Sequence, residues 1–168
     1  RAADAVIKLK ANMKKMYFKT NKTNIFLPKI FTMTAQIIYL GDLRTEATHL
    51  QSRSKIETDA PADNQGKGER FSPTDMLATS LGACMLTIMG IAANTHHISL
   101  LNTKVDITKI MIADPQRRVG EIIVDFHFPE EIEYSDKEKK ILENAAMTCP
   151  VYLSLSDKVL KTVRFNWL

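Results

Sequence analysis

A chain of 168 residues, 45% hydrophobic and 25% charged with 6 Gly and 6 Pro, has the length of one domain with its own core and the composition of neither a disordered nor a fibrous protein. Its formal charge of +4 is unevenly placed: residues 1–32 carry eight Lys or Arg against Asp4 alone, a net +7, which leaves −3 for residues 33–168. A slightly acidic folded part lacks the basic patch that displaces phosphate counterions, so no nucleic-acid partner is expected.

Residues 1–32 do not have the apolar core and small-residue cleavage site of a secretory signal. They read as a Lys-rich targeting or surface segment, as a disordered extension, or as vector-derived or misannotated sequence ahead of the natural start. The last is favoured, because Met33 directly precedes the first patterned strand and the chain begins with Arg1. The domain is therefore expected at residues 33–168. The two cysteines, Cys84 and Cys149, have no metal-ligand spacing, so no metal site is expected. Without an export signal the expected compartment is the reducing cytoplasm, where a bond between these thiols would be transient and chemical.

In chain order, "TAQIIYLGDLRTEATHL" reads as two short strands broken at a Gly41-Asp42 turn, and "SKIETDA" adds a third. The polar stretch "DAPADNQGKGERFSP" is a long loop of the kind that borders sites. A helix then opens on Ser72 as N-cap, with Pro73 in the first turn and Asp75 near the positive end of the dipole, and runs to about Asn94. "NTKVDITKIMIAD" and "GEIIVDFHF" alternate as two strands joined by "PQRR". A second helix, "YSDKEKKILENAAMT", has capping-box spacing between Ser135 and Glu138. Cys149 and Pro150 interrupt it, "PVYLSLS" restarts as a short third helix, and "KVLKTVRFNWL" closes the chain as a strand. Three strands, a long helix, two strands, two helices and a strand define an α+β domain.

The long helix is uncharged from Met76 to Ala93 and holds Cys84 near its centre. Three readings compete for it. Its length approaches that of a membrane span, but Thr79, Ser80, Gly82, Thr87 and Gly90 dilute its hydrophobicity and no aromatic or Lys/Arg anchors flank it. No membrane partner is expected. A helix apolar all round is otherwise buried all round, which a chain this small can hardly achieve alone, so a two-fold dimer with packed central helices is expected. Cys84 shares a face with Leu77, Ser80, Leu81, Thr87, Ile88 and Ile91. A cysteine there is either a small buried hydrophobe or a reactive thiol.

"FSPTDMLATSLGAC", followed far downstream by "AAMTCPVYLSLSDKV", resembles the OsmC/Ohr family of osmotically inducible and organic-hydroperoxide-resistance proteins, over about residues 33–168 and with the same order of elements. The resemblance implies an intertwined homodimer with central helices flanked by sheets, and a thiol peroxidase acting on organic hydroperoxides in oxidative and osmotic stress defence. By carry-over Cys84 is the peroxidatic thiol and Cys149 the resolving one, with no bound cofactor and an external, lipoyl-type dithiol as reductant. The peroxidases also use a Glu just ahead of the helix and an Arg from the first sheet. Here Thr74 stands at the Glu position, with Asp75 adjacent and Glu69 in the preceding loop. The Arg is open among Arg44, Arg53 and Arg70, of which "LRTEATH" favours Arg44. A non-catalytic or redox-sensing dimer binding a small hydrophobic ligand is the alternative. A cysteine hydrolase or transferase would need a His near Cys84; His96 and His97 read as a solvated helix end, and His49 and His127 as ordinary strand residues.

Overall fold

The computed structural model describes residues 33–167; the expectation about residues 1–32 lies outside the described residues. Strands β1 (Ala35–Gly41), β2 (Arg44–His49) and β3 (Lys55–Asp59) form an antiparallel meander. After a short 3₁₀ turn at Ala62–Asn64 comes helix α1 (Pro73–His96), then β4 (Lys104–Ile112), β5 (Arg118–His127), helices α2 (Asp136–Met147) and α3 (Pro150–Ser154), and β6 (Leu160–Asn166). The second sheet has order β4-β5-β6; its first pair is antiparallel and β6 returns parallel to β5. A parallel neighbour needs a crossover, which α2 and α3 supply.

Local chemistry explains the helix starts. Ser72 and Ser135 each accept from the backbone N–H three residues on, while Asp75 and Glu138 accept from the cap's own N–H, so both α1 and α2 begin with a complete capping box. Helix α1 ends two residues later than expected, at a His97 in the left-handed region (φ 58°) whose N–H closes on Ala93. The first hairpin turns one residue later than the Gly-Asp signal suggests: Asp42 and Leu43 both have positive φ, and the register shifts between Tyr39 and Gly41. A tight hairpin requires two central residues of that conformation, and the Tyr39 hydroxyl accepts from the Leu43 N–H at 3.2 Å there.

One core lies between α1, the second sheet and the two later helices. From α1 it takes Ala78, Leu81, Met85, Met89 and Ala93; from β5 it takes Val119, Ile122, Val124 and Phe126; α2 adds Leu142 and Ala146. The inward faces of Val119 and Ile122 are odd and even in number, which a bulge resolves: Ile110 pairs with Glu121 but Met111 with Val119. The three-stranded meander packs chiefly on itself. Its residues Ile37, Ile38, Tyr39, Leu40 and Ile56 are exposed.

Gly82 lies in close contact with β4. A Cβ there would stand 2.5 Å from Ile107 Cδ1 and 3.3 Å from Val105 Cγ1. Gly82→Leu is therefore expected to overpack this contact and lower stability by about 1–3 kcal/mol in urea unfolding, despite the better helix propensity of leucine.

Candidate functional site: two thiols and two ion-pair clusters

Cys84 lies midway along α1, at the edge of a stripe that the described residues leave open: Leu77 and Ile91, one heptad to either side, are 39% and 59% exposed, and Thr87 between them is exposed as well. Cys84 itself is half-buried. Cys149 is the N-cap of α3, followed by Pro150 at the first helical position, and is fully buried. The junction of α2 and α3 brings it within hydrogen-bonding reach of Cys84. Burial pushes the Cys149 thiol above its ordinary range, its hydrogen bond to Cys84 adds to the rise, and the Tyr152 and Val151 N–H groups oppose it. Both cysteines are free. A protonated, buried thiol thus sits behind a more accessible one.

The loop side carries the second group. Arg44 and Asp59 face each other directly across the β2–β3 pair. Arg44 Nε donates to Asp59 Oδ1 at 2.6 Å and Nη2 to Oδ2 at 2.8 Å, while Nη2 also reaches Glu69 Oε2 at 2.7 Å. Asp59 is only 2% exposed, so it is paired in the bidentate geometry that buried carboxylates require. The Arg44 hydrogen bond holds the Asp59 carboxyl below its usual range although burial works against it, and the two carboxylates raise Arg44 further. Arg44 is therefore committed to a buried partner and is no ordinary surface arginine. Arg70 pairs with Glu57 at 2.9 Å, and Arg53 lies in the β2–β3 turn with positive φ.

A third group occupies the start of α1. Thr74 accepts from Lys109 Nζ at 2.9 Å; the same ammonium reaches Asp75 Oδ1 at 2.6 Å. Burial raises the Asp75 carboxyl, but hydrogen bonds from Lys109 and Ser72 outweigh it and leave Asp75 below its usual range. A cation beside a helix N-terminus opposes the dipole; Asp75 offsets that.

The structure thus joins Cys84 to Cys149, Arg44 to Glu69, and Thr74 to Asp75 through Lys109. Among the described residues, no hydrogen bond joins Arg44, Glu69 or Thr74 to either thiol. His96 and His97 are exposed at the end of α1, His49 bonds Ser52, and His127 lies 3.0 Å from Asp106, so none serves Cys84 as a base. No group of metal-ligating side chains is present among the described residues. A cleft of about 720 Å³ runs between the loop residues Glu69–Phe71, Asp75 and Thr79 of α1, and Ile107–Lys109 of β4. Sequence reasoning missed Asp59 and Lys109. The signal for Lys109 was available: it shares strand parity with the apolar Val105, Ile107 and Met111.

A three-plus-three-stranded α+β fold with a long central helix bearing one thiol, and a second thiol at a helix junction behind it, defines the OsmC-like class. The family model described as OsmC-like protein matches residues 66–163, and the chain belongs to that family. A solved structure from Psychrobacter arcticus 273-4, proposed to be an osmotic-stress-induced and detoxification-response protein, is 49% identical; the match covers 83% of this chain and 100% of that one with a TM-score of 0.77. An organic hydroperoxide resistance protein OsmC from Legionella pneumophila matches at 16% identity, over 82% of this chain and 98% of that one, with a TM-score of 0.65. An OsmC-like protein from Mycoplasma pneumoniae matches at 19% identity, over 82% and 97%, with a TM-score of 0.63. No curated protein matches.

The Asp75 pair has a definite pH signature. Because its native pKa is depressed, it contributes stability above the ordinary carboxylate value of 3.8 and loses it as pH falls through the native value. Asp75→Asn is expected to lower the urea midpoint at neutral pH, and the gap between variant and parent is expected to close as pH falls below about 4.

Proposed function

We propose that the chain is a homodimeric thiol peroxidase that reduces organic hydroperoxides through Cys84 and Cys149. The observation that carries this reading is the juxtaposition of a half-buried thiol with a fully buried, protonated one. The Cys84 thiolate attacks the terminal oxygen of ROOH, the O–O bond breaks, and protonation of the leaving alkoxide gives ROH and a Cys84 sulfenic acid. The Cys149 sulfur then attacks the Cys84 sulfur, forming the disulfide; its proton and the sulfenic hydroxyl leave as water. An external dithiol of lipoyl type returns two electrons and two protons. Apolar side chains on the helices that carry or flank the thiols, Leu77 and Ile91 of α1, Met147 of α2 and Leu153 of α3, are all more than a third exposed and suit a hydrophobic peroxide. Such an activity belongs to defence against oxidative and osmotic stress.

The expected result of adding one equivalent of cumene hydroperoxide to the reduced protein is rapid loss of two thiols per chain. Cys84→Ser abolishes the loss, and Cys149→Ser leaves a sulfenic acid that a dimedone-type reagent traps. Survival of both thiols for minutes would discard the peroxidase reading.

The dimer has its own support. Among the described residues, the uncharged stripe along α1 and the apolar residues of the β1–β3 meander have no cover, and β1 is an edge strand of the kind that templates pairing. A second copy packed on both buries them. Thr74 and Cys84 are ten residues apart on α1, about 15 Å along its axis, so the two are not in contact within one chain. Light scattering at micromolar concentration should give twice the 19.0 kDa chain mass, and Ile91→Lys on the stripe should shift it toward the monomer.

One observation favours the second reading, a redox-sensing dimer that binds a small hydrophobic ligand. Thr74 and Lys109 occupy the place where the peroxidases' carboxylate is expected. Reduced protein that ignores the peroxide yet is stabilised thermally by a hydrophobic ligand would decide for it.

A further inference from the structure

We propose that Trp167 is a positioning residue for the resolving thiol: its indole N–H holds Glu143 of α2 and so fixes where along its axis that helix presents Cys149 to Cys84. The inference rests on the peroxidase reading above, in which Cys149 condenses with an oxidised Cys84. It starts from a residue that no motif singles out. The chain's sole tryptophan, one residue past β6, lies flat on Phe128 with ring centroids 3.5 Å apart and meets Tyr134 edge-on at 5.2 Å.

Two kinds of contact hold α2. Leu142 and Ala146, one turn apart, are fully buried in the core. Apolar burial is non-directional, so it fixes the depth of the helix more firmly than its position along its own axis. Directional contacts supply the rest. At the start of α2, the hydroxyl of Tyr134, next to the Ser135 cap, donates to the Ser99 carbonyl at 2.8 Å. Along its body, Trp167 Nε1 donates to Glu143 Oε1 at 2.8 Å. Among the described residues, no other side-chain hydrogen bond joins the body of α2 to another element. The acceptor is a half-buried carboxylate, which makes this bond stronger than one between neutral groups.

The helix connects Glu143 to the thiol. Thr148 closes α2 with its N–H on the Ala145 carbonyl at 3.0 Å, and the Cys149 N–H follows on Ala146 at 3.2 Å, so a shift of α2 along its axis carries Cys149 with it. Cys149 continues the buried face of Leu142 and Ala146 at helical spacing. Condensation requires its sulfur to meet the Cys84 sulfur in line with the S–O bond that breaks; the S–S bond forms, and the thiol proton leaves with the sulfenic hydroxyl as water. A displacement of about 1 Å is enough to slow such a step a hundredfold. Attack of Cys84 on the peroxide comes first and does not use Cys149, so the tether acts on the second step alone.

The test follows both steps in the full chain mixed with cumene hydroperoxide: sulfenic acid formation, whose rate scales with peroxide, and disulfide formation, whose rate does not. Trp167→Phe keeps an aromatic ring for the stack and removes the N–H. Lys139, one turn before Glu143, leaves that carboxylate a neighbouring cation. The variant is expected to retain the parental first step, to form the disulfide about tenfold more slowly, the loss typical of one charge-assisted hydrogen bond, and to give more sulfenic acid to a dimedone-type trap. Glu143→Ala should do the same while leaving the aromatic stack intact, which the emission of the single tryptophan reports. Glu143→Gln retains an acceptor oxygen and should restore most of the rate. The double variant should be no slower than the slower single one, since both remove one bond. Lys140→Ala, exposed on the same helix, should change neither step. Folded Glu143→Ala with the parental second step, or with both steps slowed alike, overturns the assignment of Trp167 and leaves the peroxidase reading standing. Thiols of the parent that resist the peroxide overturn both.

Discussion

The surface of helix α1 is the constraint from which the rest of the structure follows. Eighteen consecutive residues without a charge form a cylinder that is apolar on every side, and a helix of that kind is stable in water only if every side is covered. The second sheet covers one side through Gly82, Ala78 and Met85 against β4 and β5, and α2 with α3 covers another. Four elements pack on the helix and, among the described residues, still leave the stripe through Leu77, Thr87 and Ile91 open. The unequal depth of the thiols follows from this shortage of cover: Cys84 borders the open stripe while Cys149 sits on the covered side. Depth alone thus gives two chemically equal thiols unequal access.

Charge is handled in the opposite way at the two ends of the loop before α1. At one end Arg44 meets a buried Asp59, and breaking either partner would strand a charge away from water. At the other, Lys67, Arg70 and Arg117 make ion pairs with Asp42, Glu57 and Asp63 whose members are all well exposed; pairs of that kind contribute little. Many salt bridges therefore tie the loop, but only the Arg44–Asp59 fork has the burial to hold it in one arrangement. Lys109 is an intermediate case. Its side chain is 15% exposed, and hydroxyls of Ser72 and Thr74 complete its shell where carboxylate alone would not.

What the sequence made legible and what it hid divide along a physical line. The capping boxes at Ser72 and Ser135, the restart at Pro150 and the alternation of β4 and β5 are local signals, and the structure reproduces them. The two cysteine motifs were legible because each spans a helix start or junction whose chemistry is local. Asp59 was not legible, because a strand residue acquires its partner only once the register with its neighbour is set, and a one-residue slip would have paired Arg44 with nothing. Before the fold is known, "SKIETDA" offers Glu57 and Asp59 as equal, solvated acids. The hairpin turn was misplaced by one residue for a similar reason: Gly41 is the residue that tolerates positive φ, yet the cross-strand pairing of β1 with β2 places Asp42 and Leu43 at the centre.

The separation between the thiols and the ion-pair clusters connects these features. A thiol in an apolar helix is kept protonated by desolvation unless a donor or cation offsets it, and within one chain neither Arg44 nor Lys109 bonds to Cys84. The groups suited to that task gather at the start of α1, about 15 Å along the axis from the thiol. The open stripe runs along the same helix, from Leu77 past the thiol to Ile91. Among the described residues, the hydrophobic demand of the stripe and the donors at the helix start therefore stand at separate places along α1.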